Sequence, residues 1–174
     1  MRVFVLVNCL TILLFGNACS NSKVHSIDTS NMAKYTNSKF SIFYPYAWQV
    51  DSSQTLGNVL VLHSPLRDEQ DDFRESISIE YIFLGVNTQT INVEEFVVNK
   101  LPNVSLKSVD TINKKQQYTK FVFETESSVE KLQIIQYAFL KNRYLYLLSF
   151  TQRKDDTMLE YIAISIMETF QLHI

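Results

Sequence analysis

The chain has 174 residues, with 16 Lys and Arg against 18 Asp and Glu, 46% hydrophobic residues, 12 Phe and 9 Tyr. That length suits one domain with one well-developed core, and this much apolar and aromatic material offsets the entropy of folding, which excludes disorder for most of the chain. A net charge of −2, more acidic still if Arg2 is lost, with no basic run longer than Lys114-Lys115 or Arg153-Lys154, excludes nucleic acid as the partner, because phosphate binding is driven by clustered cations. Both basic pairs read as solvated surface.

The first element in chain order is a leader. Met1-Arg2 supplies one positive charge, and Val3 to Phe15 is apolar apart from Asn8, Cys9 and Thr11. This stretch is shorter than the ~20 residues of a membrane-spanning helix and suits the apolar region of a signal peptide over residues 1–18. Gly16-Asn17-Ala18-Cys19 then offers small residues at a cleavage site. Two readings compete here. Ordinary signal peptidase would cut after Ala18 and release a soluble protein; a lipoprotein peptidase would cut the same bond and leave Cys19 carrying diacylglycerol. The position of Cys19 directly after that bond favours lipidation, and several acyl chains together give stable anchoring. With Cys9 gone, Cys19 is the last cysteine, so a disulfide within the mature chain is impossible. The segment resembles a bacterial lipobox, with Gly16 where Leu is usual. Ser20 in place of Asp favours the outer membrane if the cell is Gram-negative.

Residues 19–34 read as the lipidated cysteine and a flexible polar tether, His25 included as a solvated side chain. The domain is expected over residues 35–174. Strands are predicted at Phe40 to Tyr44, stopped by Pro45, then at Trp48 to Asp51 and at Asn58 to His63, closed by Pro65. Glu75 to Leu84 alternates, with Ile77, Ile79, Tyr81 and Phe83 on one face. Asn92 to Leu101 changes to a helical period: Asn92 is a candidate N-cap, Glu94 and Glu95 lie in the first turn, Val93, Phe96, Val97 and Leu101 share a face, and Pro102 ends it. Three strands follow in meander order, Gln117 to Glu126, Lys131 to Leu140 and Tyr144 to Gln152, the last two joined by a tight turn at Lys141-Asn142-Arg143 because Asn tolerates positive φ. Asp155 or Asp156 is placed as the cap of a final helix to Phe170, with Leu159, Ile162, Ala163, Ile166 and Phe170 facing the core. Two helices among antiparallel strands argue for a mixed sheet with helices packed on its faces, an α+β class without βαβ units.

Two stretches carry a family resemblance. Lys39-Phe40-Ser41-Ile42-Phe43-Tyr44-Pro45 followed by Trp48 resembles the F-S-I-x-Y-P-x-x-W opening of PsbP-like domains. Tyr144-Leu145-Tyr146-Leu147 running to Phe150-Thr151, then a helix closing with Ile166 and Thr169-Phe170, resembles their end. Lys39 and Asn142-Arg143 stand where that pattern often has glycine. The resemblance implies an α/β/α sandwich around a central, mainly antiparallel β-sheet flanked by helices, in a superfamily of photosystem extrinsic subunits, bacterial envelope lipoproteins and other non-catalytic binding proteins.

Candidate chemistry is sparse. Tyr44 to Trp48 is either an aromatic surface for a partner or a core plug at Trp48, and the plug is preferred. Asp68, Glu69, Asp71, Asp72 and Glu75 are the densest acidic cluster and the first place to look for a metal, but their spacing is not that of an EF-hand and no Gly supplies its turn; a solvated loop is preferred. His63 is the one candidate base, beside Ser64, with no nucleophile elbow, and 3 Gly leave no phosphate-cradling loop. No catalytic residue, cofactor or metal ligand is assigned. The expected function is a lipid-anchored cell-envelope protein, held to the membrane through Cys19, whose domain is a non-catalytic protein-binding or complex-assembly module with a partner of unknown identity. The alternative is a small-molecule or lipid-binding module with a pocket between sheet and helices.

Overall fold

Period-two stretches rich in aromatic and β-branched residues produce most of the elements. In chain order these are β1 (Met32–Thr36), β2 (Phe40–Pro45), β3 (Gln49–Asp51), β4 (Leu60–His63), β5 (Ser76–Phe83), α1 (Val93–Lys100), β6 (Val104–Asn113), β7 (Gln117–Thr125), β8 (Leu132–Lys141), β9 (Tyr144–Arg153), α2 (Glu160–Glu168) and β10 (Gln171–Leu172). The computed structural model describes residues 29–54, 57–85, 91–101, 103–114, 116–125 and 130–173. The leader, Cys19, His25 and Pro102 lie outside the described residues.

Seven strands form one sheet in the order β3-β4-β5-β9-β8-β7-β6, and β1, β2 and β10 form a second in the order β1-β2-β10. Every pairing among the described residues is antiparallel, in keeping with the mainly antiparallel sheet expected and correcting the mixed one. The reason lies in the connections: most neighbours in the large sheet are consecutive in sequence, and a crossover through α1 carries the chain from β5 to the far edge at β6, from where β7, β8 and β9 return until β9 pairs with β5.

β9 is buried on both faces, which is why it reads as a near-continuous apolar run. Tyr146, Leu148 and Phe150 enter a core with Phe40, Ile42, Trp48, Ile77, Ile79 and, from α2, Ala163, Ile166, Met167 and Phe170. Leu145 and Leu147 face the other way, into a smaller cluster with Phe121, Phe123, Ala138 and Val97 of α1. The described architecture is thus mostly antiparallel sheet with two short helices, and the second sheet shares the covering of one face with α2.

The Asn92 cap is present: its Oδ1 accepts from the Glu95 N–H at 3.2 Å. Asn142 and Arg143 both have positive φ, 49° and 68°, the two-residue turn that matches strand twist. Three expectations are corrected. β1 begins inside the segment read as a tether, because Met32 to Lys34 pair with Pro45 to Phe43. β6 was not foreseen: a bulge between Leu106 and Ser108 puts Leu106 and Val109 on the same face at an odd spacing, which breaks the period. Asp155 and Asp156 do not cap α2; it begins at Glu160 after Leu159, which makes no side-chain cap. The carboxylate of Asp156 is instead paired with Arg67 and accepts from the Met158 N–H at 3.3 Å, and Met167 joins the buried stripe in place of Ile162, which is 40% exposed.

Candidate functional site

After β4, Pro65 releases the chain into a loop that folds back on itself through its own carboxylates. Asp68 Oδ1 accepts from the N–H groups of Gln70 (2.8 Å) and Asp71 (3.1 Å), an Asx-type turn. Asp71 Oδ2 accepts from Arg67, both from its backbone N–H at 3.0 Å and from Nε at 3.3 Å. The same guanidinium reaches Asp156 before α2 and lies 3.9 Å from Glu75. Glu75 is 2% exposed and accepts from the Ser64 hydroxyl at 2.7 Å. A second guanidinium, Arg153 at the end of β9, pairs with Asp72 at 2.7 Å and Glu130 at 2.9 Å and lies 5.1 Å from the Phe73 ring. Beside it, Lys154 and Lys107 share Glu124 at 2.8 and 3.4 Å.

The protonation equilibria follow these contacts. Hydrogen bonds to Asp156 and then Asp71 hold the Arg67 guanidinium charged. The Arg67 backbone N–H lowers the Asp71 pKa, the Arg153 guanidinium lowers that of Asp72, and Lys154 lowers that of Glu124. The acidic run is therefore not a loose loop: Arg67, at its own start, and Arg153, distant in sequence, pair with its carboxylates, and their bonds to Asp156 and Asp72 tie it to the β9–α2 corner. Among the described residues no three His, Cys, Asp or Glu side chains converge as metal ligands.

Between the two arginines lies an open cleft of about 420 Å³, lined by Arg67, Asp68, Gln70, Asp71, Arg153 and Met158. Met158 is 69% exposed, and one turn on Tyr161 is 77% exposed with Ile162 beside it. Met158 lies in the turn that leads into α2, and the i, i+3, i+4 spacing puts it on the same outward side as Tyr161 and Ile162 in the first turn of the helix. Arg, Tyr and Met next to a charged rim are the composition of protein interfaces.

Other residues singled out from the sequence lie elsewhere. Trp48 is 6% exposed and in the core, so it is the plug, while Tyr46 is exposed. Ser64 is fully buried with its hydroxyl given to Glu75, so its adjacency to His63 makes no catalytic pair. His173 Nδ1 meets the Asn37 carbonyl at 2.9 Å. Lys114, at an exposed site, pairs with Glu168 at 2.6 Å, and Arg153 and Lys154 are the paired cations above; Lys115 lies outside the described residues. Cys19 lies outside the described residues. Sheet and α2 meet through interlocked rings, Phe170 against Phe40 at 5.3 Å and Phe139 at 5.1 Å; among the described residues a second, shallow depression besides the cleft lies on α1 along Ile91, Asn92, Glu95, Phe96 and Asn99. The pocket expected between sheet and helices gains no support from either. An aromatic group around Lys39 at the opposite end of the sheet was not foreseen, because its members come from three separate elements.

No family model and no curated protein matches the sequence. Solved structures do match in shape. The solution structure of cyanobacterial PsbP from Synechocystis superposes with a TM-score of 0.62 at 12% identity, covering 91% of this chain and 100% of that one. LpqN of Mycobacterium tuberculosis, described as involved in cell envelope biogenesis, gives 0.54 at 10% identity over 82% of this chain and 92% of its own. The Ran-binding protein Mog1p of Saccharomyces cerevisiae gives 0.53 at 10% identity over 82% and 95%. At these identities the likeness is one of fold, and it agrees with the opening and closing motifs read from the sequence: the chain has a PsbP-like fold.

Proposed function

We propose that the protein is a lipid-anchored component of the bacterial cell envelope whose PsbP-like domain binds another protein and performs no catalysis. The observation that carries this reading is the surface at the start of α2, where exposed Met158, Tyr161 and Ile162 adjoin the Arg67–Arg153 cleft. Neighbours in fold described as an envelope biogenesis protein and a Ran-binding protein support it. The anchor rests on the leader and on Cys19 directly after Ala18.

The test is cross-linked recovery of partners from envelope membranes with the unaltered protein and with Tyr161→Ala and Met158→Ala. Interface anchors of this kind weaken binding about ten-fold or more on truncation, so a specific partner is recovered with the first and lost with the variants. Absence of any reproducible partner, or equal recovery by all three, overturns the reading. Intact mass with and without Cys19→Ala tests the anchor: acylation adds mass that the alanine variant lacks.

A further inference from the structure

We propose that the end of the domain opposite the cleft, made by the β1–β2 turn, the end of β5 and the β8–β9 hairpin, docks on an anionic membrane surface. Three cations gather there. Lys39 lies with Nζ 4.1 Å from the Tyr144 ring and 5.0 Å from the Tyr81 ring, and Lys141 and Arg143 project from the hairpin turn. None of the three enters an ion pair among the described residues. Glu80 and Glu168 are already matched by Lys100 and Lys114; residues 86–90, which follow β5, carry no charge in the sequence, and the exposed Glu94 and Glu95 come beyond them in the first turn of α1. The far end holds the opposite balance, with Asp68, Glu69, Asp71, Asp72, Glu75, Asp155 and Asp156 around Arg67, Arg153 and Lys154. The domain is thus electrically polar along its strands, with three cations at the hairpin end that make no ion pair among the described residues.

The same pole exposes apolar groups in an arrangement that suits a bilayer. Phe83 is 57% exposed and Leu140 47% exposed. Phe83 pairs with Tyr144 and Leu140 with Leu145, and those partners belong to the two clusters on opposite faces of the sheet. A flat protein surface meets one such face; headgroups surround both. Tyr81, Tyr144 and Lys39 supply the rings and long cationic stem that favour the headgroup region. The docking does not depend on an anchor at Cys19.

The experiment places the full chain, as Phe83→Trp or Tyr161→Trp, on phosphatidylcholine vesicles with and without phosphatidylglycerol, using brominated acyl chains as the quencher and the unsubstituted protein as the Trp48 background. Quenching at position 83 and not at 161, only when phosphatidylglycerol is present, is the expected result. Adding Lys39→Gln, Lys141→Gln and Arg143→Gln to Phe83→Trp lowers the docked-to-free ratio roughly five-fold per cation removed. Equal quenching at the two positions, no quenching at either, or indifference to phosphatidylglycerol overturns the proposal. Unchanged near-ultraviolet dichroism of the variants shows that the fold is intact, and the mass measurement at Cys19 fails or succeeds independently.

Discussion

Truncating Phe170 to alanine removes the ring on which the domain closes. Phe170 is 1% exposed, and its ring meets those of Phe40 at 5.3 Å, Phe139 at 5.1 Å and Tyr146 at 6.4 Å, joining β2 of the small sheet to β8 and β9 of the large one. Its backbone bonds survive the change: the carbonyl accepts from Gln116 Nε2 at 2.6 Å and the N–H donates to Met167 at 3.2 Å. The loss is therefore transfer energy plus cavity. Phe→Ala changes in cores cost about 3–5 kcal/mol, and neighbours fixed in three strands collapse poorly, so about 4 kcal/mol is expected. Set against a total of about 5–15 kcal/mol, that is a drop in Tm of roughly 8–16 °C for a chain of this size. Urea titration followed by far-ultraviolet dichroism and by Trp48, the single tryptophan, measures it. Tyr161→Ala, at a site 77% exposed, should stay within about 0.5 kcal/mol. A loss below about 2 kcal/mol for Phe170→Ala, with coincident transitions, would refute the assigned hub.

Arg143→Gly should stabilise the fold by about 0.5 kcal/mol, since an L side chain at φ 68° is strained where glycine is not; a lower urea midpoint contradicts the turn assignment. Gln136 is 3% exposed, its Nε2 donates to Ser149 at 2.6 Å, and its Oε1 has no partner. Ser149→Ala should therefore cost about 1 kcal/mol or more, and adding Gln136→Met should recover most of it; additive losses in that cycle sink the idea. Burial, more than any charge, raises the Tyr137 pKa. The neutral phenol then contributes its full stability below the ordinary tyrosine value and loses it as pH rises through the folded value, so alkaline unfolding sets in above about pH 10 and is delayed in Tyr137→Phe. Asp71, Asp72 and Glu124 have lowered pKa values and act on the other side: their contribution is present above the usual carboxylate range and lost as pH falls through the folded values. Urea midpoints against pH, flat at both ends, would contradict both assignments.

Much of the architecture was legible where one physical signal dominated. Ile77 and Ile79 of β5 announce their face by alternation and are fully buried, and Asn92 with two glutamates in the next turn announces the start of α1. The readings failed where a partner distant in sequence changed what a residue was doing. Asp156 has the chemistry of an N-cap, and its carboxylate is taken by Arg67. The acidic run after Pro65 looks like free carboxylates until Arg67 folds back on it within the loop and β9 brings Arg153 to it. Lys39, Tyr81 and Tyr144 carry no shared motif, because the cation and its rings meet only once β1–β2 is laid over β5 and β9. Leu106 and Val109 mark β6 only after the bulge at Lys107 is known.

The two surfaces constrain one another. β9 spans ten residues, from Tyr144 at the hairpin pole to Arg153 at the cleft, which is about 33 Å of extended chain. A domain seated on headgroups by Phe83 and Leu140 holds the cleft and the exposed face of Met158 and Tyr161 about that far from the membrane. On the proposed readings, the partner meets the domain well above the lipid, as a soluble envelope component or the projecting part of a larger assembly. The charge follows the same logic: an acidic, arginine-buttressed end is repelled by an anionic leaflet and the hairpin pole is drawn to it, so one orientation serves both. Lys39→Gln, Lys141→Gln and Arg143→Gln together should then release the domain from the vesicle surface while leaving partner recovery through Tyr161 intact. Loss of both in that variant would mean that the hairpin pole belongs to the protein interface.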